Sequence, residues 1–133
     1  MQLSVAVRNA MLDSIEGAIA ASAIMRIRTG PPPAACGAPD TGTVLATLVL
    51  PSDWMLDAVG GSKDKSGTWV DNAADAAGIA EHFRVYNAAG TACHMQGTVT
   101  VTDGGGDMTV DNPTFAAGQS FTVTAFTLNS GNG

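Results

Sequence analysis

Residues 79–128 read IAEHFRVYNAAGTACHMQGTVTVTDGGGDMTVDNPTFAAGQSFTVTAFTL, and hydrophobic residues alternate there with Thr, His, Gln and Arg in a period near two. A strand turns successive side chains to opposite faces, so this pattern predicts a sheet with one buried face and one hydroxyl-rich, solvated face. Phe83 and Val85 alternate with Arg84 and Tyr86 before NAAGT (87–91), which reads as a hairpin loop. The return strand places Cys93, Met95, Gly97, Val99 and Val101 on one face and His94, Gln96, Thr98 and Thr100 on the other. DGGGD (103–107) reads as the next turn, Met108 and Val110 start a short strand, and AAGQS (116–120) introduces the last one. There Phe121, Val123 and Ala125 alternate with Thr122, Thr124 and Phe126, and Leu128 follows on the face of Phe126. A bulge or a second buried face is therefore expected near 125–126. Short strands with glycine-bearing turns indicate a mainly β fold, a small antiparallel β-sandwich or barrel. The tail NSGNG (129–133) reads as a frayed end.

Working outward, residues 4–21 form the one persuasive helix, an N-terminal α-helix. Val7, Met11, Ile15, Ala18 and Ile19 make its apolar stripe, with Arg8, Asp13 and Glu16 toward the outer side. A first strand follows in SAIMRIRT (22–29), where Ala23, Met25 and Ile27 share one face and Ile24, Arg26 and Arg28 the other. PPPAACGAPDTG (31–42) cannot be regular structure, because three prolines fix φ and remove donors. It predicts a stiff, exposed loop. In TVLATLVLP (43–51) both faces are largely apolar, which suggests a covered, central strand. SDWMLDA (52–58) fits a single helical turn capped by Ser52, VGGSKDKS (59–66) a flexible turn, and Thr68, Trp69 and Val70 a short strand.

At 133 residues the chain fits one domain spanning 1–133. Its six basic residues, Arg8, Arg26, Arg28, Lys63, Lys65 and Arg84, are outnumbered by twelve acidic ones, giving a formal charge of -6. That balance argues against direct nucleic-acid binding, which needs a basic footprint to displace counterions from phosphates. No apolar run approaches a membrane span. The opening MQLSVAVRNAMLDSIEG lacks the layout of a signal peptide, so synthesis as a soluble cytoplasmic chain is expected. Cys36 and Cys93 lie far apart, too few for a structural zinc site; a cytosolic origin argues for free thiols, and a disulfide stays open for a protein that ends outside a cell. Only 14% of residues are charged against about 25% in ordinary domains. Such a surface packs readily against other copies or partner proteins, because little charge must be desolvated.

Few residues look built for chemistry. His82 and His94 are near-symmetric about residue 88 and read as an exposed cross-strand pair, without a third ligand at metal spacing. Asp103, Asp107 and Asp111 around the glycines lack calcium-loop spacing and read as turn residues. Cys93 and His94 are adjacent, and neighbours on a strand diverge, which is wrong for a thiolate–imidazole pair. No G-x-S-x-G motif occurs. The reading is not an enzyme, with no catalytic residue, cofactor or metal. Trp54 and Trp69 flank VGGSKDKS and either anchor it to the core or offer aromatic hot spots to a partner.

The stretch Ile24–Leu50 resembles a pattern common in small structural proteins of tailed bacteriophages, a strand reading like "IRIYTG-x-x-P", a Pro/Ala/Asp loop and "TGTLLATL". The matching pieces are Ile27-Arg28-Thr29-Gly30, Pro32-Pro33 and Thr41–Leu48. FRVYNAAGTACHMQGTV (83–99) is similar to the strand–hairpin–strand of the same group. The triple proline and Cys36 depart from that pattern. The resemblance implies a virion structural protein, foremost a head decoration or cement protein that binds the major capsid protein as a homo-oligomer, a trimer being suited to a capsid. It carries over no active-site residues. The other readings are a tail, neck-adaptor or fibre-base component and a glycan-binding surface module using Trp54 or Tyr86. On exposure and stiffness, partner contact is assigned to Arg26, Arg28, Pro31, Pro32, Pro33 and Trp54.

Overall fold

The computed structural model describes residues 1–131; the end of the tail expected to fray, 132–133, lies outside the described residues. The helix α1 (Val5–Ile19) begins at Ser4, whose hydroxyl oxygen accepts from the Val7 N–H at 3.2 Å, and stops at Ala20, where φ turns positive. Strands β1 (Ile24–Arg28), β2 (Val44–Val49), β3 (Ser62–Asp64), β4 (Trp69–Asp71), β5 (Gly78–Ile79), β6 (His82–Tyr86) and β7 (Cys93–Val101) come next. The chain continues through β8 (Met108–Val110), β9 (Thr114–Phe115), β10 (Phe121–Val123) and β11 (Thr127–Asn129). The fold is mainly β, with a single N-terminal helix and a sheet curled into a half-barrel. Five strands form that sheet in the order β2-β1-β6-β7-β8, and β10-β4, β11-β3 and β5-β9 form two-stranded ribbons.

The core face of the sheet follows from alternation. Met25, Ile27, Phe83, Val85 and Val99 are all buried, and an aromatic chain crosses from them to the ribbons. Phe83 meets Phe126 edge-on at 5.6 Å between centroids, Phe126 meets Trp69 at 5.3 Å, and Trp69 meets Trp54 at 6.0 Å. The break expected near 125–126 separates β10 from β11 and sends Phe126 inward.

Four local expectations are corrected. β2 is an edge strand; Asp71 covers its edge by accepting from the Thr47 N–H at 2.8 Å, and Val49 is exposed. A covered edge and a central position look alike in sequence, since both permit apolar residues on two faces. Residues 52–58 form no helical turn; the Leu56 N–H donates to Asp64 O at 2.8 Å and Met55 bridges Lys65.

The third correction concerns the direction of pairing. β8 runs parallel to β7, Val99 opposite Met108 and Val101 opposite Val110, so the sheet is not wholly antiparallel. Parallel neighbours usually need a crossover of a dozen residues or more. Here 102–107 suffices because the chain folds tightly back over Thr100. Its hydroxyl oxygen accepts from the Gly106 N–H at 3.0 Å, and a Cβ on Gly104 or Gly106 would collide with the Thr100 side chain. Asp107 closes the loop by accepting from the Thr98 N–H at 2.9 Å, which is the turn role expected of it.

The fourth correction concerns the helix. Its polar residues face the domain. Asp13 accepts from the Ala58 N–H at 2.9 Å and from Lys63 Nζ at 2.7 Å, Glu16 from the Met55 N–H at 2.6 Å, and Asn9 from the Gly61 N–H at 2.9 Å. Residues 53–61 run largely outside the sheets, so these amide groups need acceptors, and the helix side chains supply them. Leu12 and Ile19 are buried beside this seam, whereas Val7 and Met11, expected inward, are about half exposed.

Candidate functional site: an arginine face roofed by the proline loop

The sheet face opposite the core carries Arg26 and Arg28 from β1 and His82, Arg84 and Tyr86 from β6. Register sets Arg26 beside Arg84 and Arg28 beside His82. Like charges directly opposite one another repel, so such a face needs acceptors. The proline loop brings them. Arg84 Nη2 donates to Cys36 O at 2.6 Å, and Nη1 donates to Ala38 O at 3.2 Å and to Asp40 Oδ1 at 2.5 Å. Arg28 Nη2 reaches Asp40 Oδ2 at 3.0 Å, and the Tyr86 hydroxyl donates to Asp40 Oδ1 at 2.6 Å. Gln96 Nε2 donates to Pro33 O at 2.7 Å.

The sequence explains this fit. A proline-rich segment offers carbonyls and few N–H donors, while guanidinium is donor-only and presents a fixed fork. Each supplies what the other lacks. The loop mouth is pinned as well: Glu81 Oε2 accepts from the Gly30 N–H at 2.6 Å, and Thr29 Oγ1 accepts from the Thr43 N–H at 2.9 Å. The loop is stiff, as expected, but it lies across the sheet rather than standing clear of it.

A bulge completes the site. β6 and β7 pair in register from His82–Thr98 to Val85–Met95, then Tyr86 pairs with Cys93 and His94 is the extra residue. One inserted residue reverses the facing of the residues beyond it. Cys93, expected on the core face, therefore sits on the arginine face, where its Sγ accepts from Arg84 Nε at 3.2 Å. Burial first, and then the neighbouring Cys93, push the thiol pKa of Cys36 in the loop above its ordinary value. Arg26 lies over the Tyr86 ring at 4.6 Å and donates to Gly90 O at 3.3 Å. Beside the loop, Cys36, Asp40, Arg84, Tyr86, Thr91 and Cys93 bound a cavity of about 330 Å³.

The residues assigned to partner contact are thus divided. Pro31 is exposed, Pro32, Pro33 and Arg26 are half-buried, and Arg28 is buried under the loop. Trp54 is fully buried and donates from Nε1 to Ala20 O at 3.0 Å, which makes it an anchor rather than an exposed hot spot. The two histidines are not an exposed pair either: His82 is buried opposite Thr98, and only His94 is exposed. Sequence reasoning missed Asp40, Arg84, Cys36 and Cys93 as one cluster. The available signal was Arg84 and Tyr86 facing away from Phe83 and Val85. Among the described residues no group of three or more His, Cys, Asp or Glu is arranged to hold a metal ion, and no helix is long and apolar enough to cross a membrane.

Two groups tie this site to pH. Burial, chiefly, depresses the His82 pKa; the contact with Gly30 O opposes that, and Arg28 and Arg84 add to the lowering. Nδ1 lies 2.6 Å from a carbonyl that can only accept, so Nδ1 carries the proton of the neutral ring. Asp40 ends below its ordinary value: burial raises it, but Tyr86, Arg28 and Arg84 together outweigh burial. Both folded pKa values are depressed, so both contributions are present at high pH and lost as pH falls. Urea midpoints should be level above about pH 6.5 and decline below it as the unfolded histidine takes a proton that the folded one refuses. A second decline should follow below about pH 4 from Asp40. His82→Gln should remove the first decline and keep the second; an unchanged profile in that variant would exclude His82 as its source.

Compared with known proteins, the chain matches no family model, no curated protein and no solved structure.

Proposed function

We propose that the chain is a virion structural protein that docks on a protein lattice, foremost as a decoration of a tailed-phage head bound to the major capsid protein. The observation that carries the docking role is the fastened proline loop. Its carbonyls are held from beneath by Arg84 and Gln96, while Pro31, Ala34, Ala35, Gly37 and Pro39 stay exposed along its outer edge. A ridge ordered before contact loses little conformational entropy on binding, and few charges on it need desolvation. The head assignment itself rests on the resemblance of 24–50 and 83–99 to phage structural proteins. Binding only the assembled lattice would stabilise it by mass action. The glycan reading is weakened, since Trp54 and Tyr86 are both buried and offer no aromatic platform.

Contact is therefore moved from Arg28 and Trp54 to the outer edge of the loop. Reconstruction of tailed-phage particles assembled with the chain tests this. Many copies over the head, grouped in threes if it docks as a trimer, fit decoration; a single ring at the neck or tail selects the adaptor or fibre-base reading. Ala35→Glu places a charge on the exposed ridge without touching the arginine face. It should strip the protein from particles while its melting temperature stays within about 2 °C of the parent. Full occupancy by that variant would remove the ridge as the contact.

A further inference from the structure

We propose that Cys36 and Cys93 are a modification site: they close into a reversible intramolecular disulfide that staples the proline loop to β7. This goes beyond the docking role and stands whether or not the chain binds a lattice. The two thiols come from distant parts of the chain and are brought together by Arg84 and by the bulge in β7. The Arg84 guanidinium holds the backbone of Cys36 through Nη2 and the sulfur of Cys93 through Nε. The bulge at His94 turns Cys93 to the same face. Both residues are half-buried on the wall of one cavity of about 330 Å³.

A sulfur–sulfur bond of about 2.05 Å would join two side chains that already line one cavity wall and share one guanidinium. Arg84 keeps Asp40, Cys36 O and Ala38 O in either state. Burial and then the neighbouring Cys93 push the Cys36 thiol up, so Cys36 rests protonated until an oxidant arrives.

With a small organic disulfide as oxidant the chemistry balances. One cysteine thiolate attacks a sulfur of the oxidant, forming a mixed disulfide and releasing one thiolate. The second cysteine loses its proton and attacks the mixed disulfide, closing Cys36–Cys93 and releasing the second thiolate. The two cysteine protons end on the two released thiols; the protein is oxidised by two electrons and the oxidant reduced by two. A loop closed over such a long stretch of chain removes much freedom from the unfolded state.

Oxidised glutathione added to the purified full chain tests the site. Intact mass should fall by two hydrogens, free thiols should vanish, and the product should stay monomeric on a non-reducing gel. The melting temperature should rise by roughly 10 °C and return on reduction with dithiothreitol. Cys36→Ser and Cys93→Ser should each hold a lasting glutathione adduct and show no such rise. A lasting adduct on the parent chain, interchain dimers, or two thiols still free where each single variant reacts would overturn the proposal.

Discussion

Trp69→Ala is expected to remove about 3–5 kcal/mol of folding stability, the range for emptying a buried aromatic site. Trp69 is fully buried and sits between Trp54 and Phe126, so the vacated volume opens where three rings meet. Its neighbours cannot all collapse into that space. Phe126 is also held by Phe83 on the main sheet, and Trp54 by its hydrogen bond to Ala20 at the end of α1. The ring's Nε1 donates to Ser66 O at 3.1 Å, so Trp69→Phe should cost less, about 1–2 kcal/mol, for the lost bond and the smaller ring. Whole domains are stable by only about 5–15 kcal/mol, and the alanine variant should come close to unfolding. Denaturant titration with both variants measures the difference. An alanine variant within about 1 kcal/mol of the parent would mean that the aromatic chain does not join the ribbons to the sheet.

Arg84→Ala should be comparably severe, for a different reason. Its side chain is 1% exposed, yet it carries a charge, and its forked donors satisfy Cys36 O, Ala38 O and Asp40 together. Removing one partner of a buried pair costs about 3–5 kcal/mol, because the other groups stay behind unpaired. Asp40 is 40% exposed and can turn to water, which places the expected loss near the low end, about 3 kcal/mol. Arg26→Ala, which removes a half-buried stack on Tyr86, should cost only about 0.5–1 kcal/mol. In a double-mutant cycle, Arg84→Met with Asp40→Asn should cost less than the sum of the two single changes, since an apolar side chain then faces a neutral one. Additive costs would mean that the pair is not coupled. Protease cleavage within 31–42 should accelerate in Arg84→Ala and not in Trp69→Phe, because only the former unfastens the loop.

The face of each core strand was legible. Met25 and Ile27, like Phe83 and Val85, alternate with residues that the structure turns away from the core, and burial follows that period. The break before Phe126 was legible for the same reason, as apolar residues change parity there. The candidate site was legible only in pieces. Arg84 and Tyr86 could be placed on the outer face, but nothing in their neighbourhood announces Asp40, which reaches them from the far end of a proline loop. Cys93 was placed on the wrong face because a bulge is one extra residue among many that look alike, and parity after it inverts. The helix misled by composition. Its charged side looked like a solvated face, yet the extended segment beside it carries amide groups that require those acceptors.

By itself, then, the sequence determined the mainly β class, the single N-terminal helix, the stiffness of the proline segment and the alternation that builds the core. These are local properties, set by the φ limits of proline and the twofold period of a strand. Only the tertiary structure decided that the proline loop lies down on Arg28 and Arg84, that β8 runs parallel to β7, and that Cys36 and Cys93 line one cavity. Those outcomes depend on matching donors and acceptors across distant parts of the chain. A carbonyl without a donor and a guanidinium without an acceptor are each costly when buried, and they are settled only by finding one another.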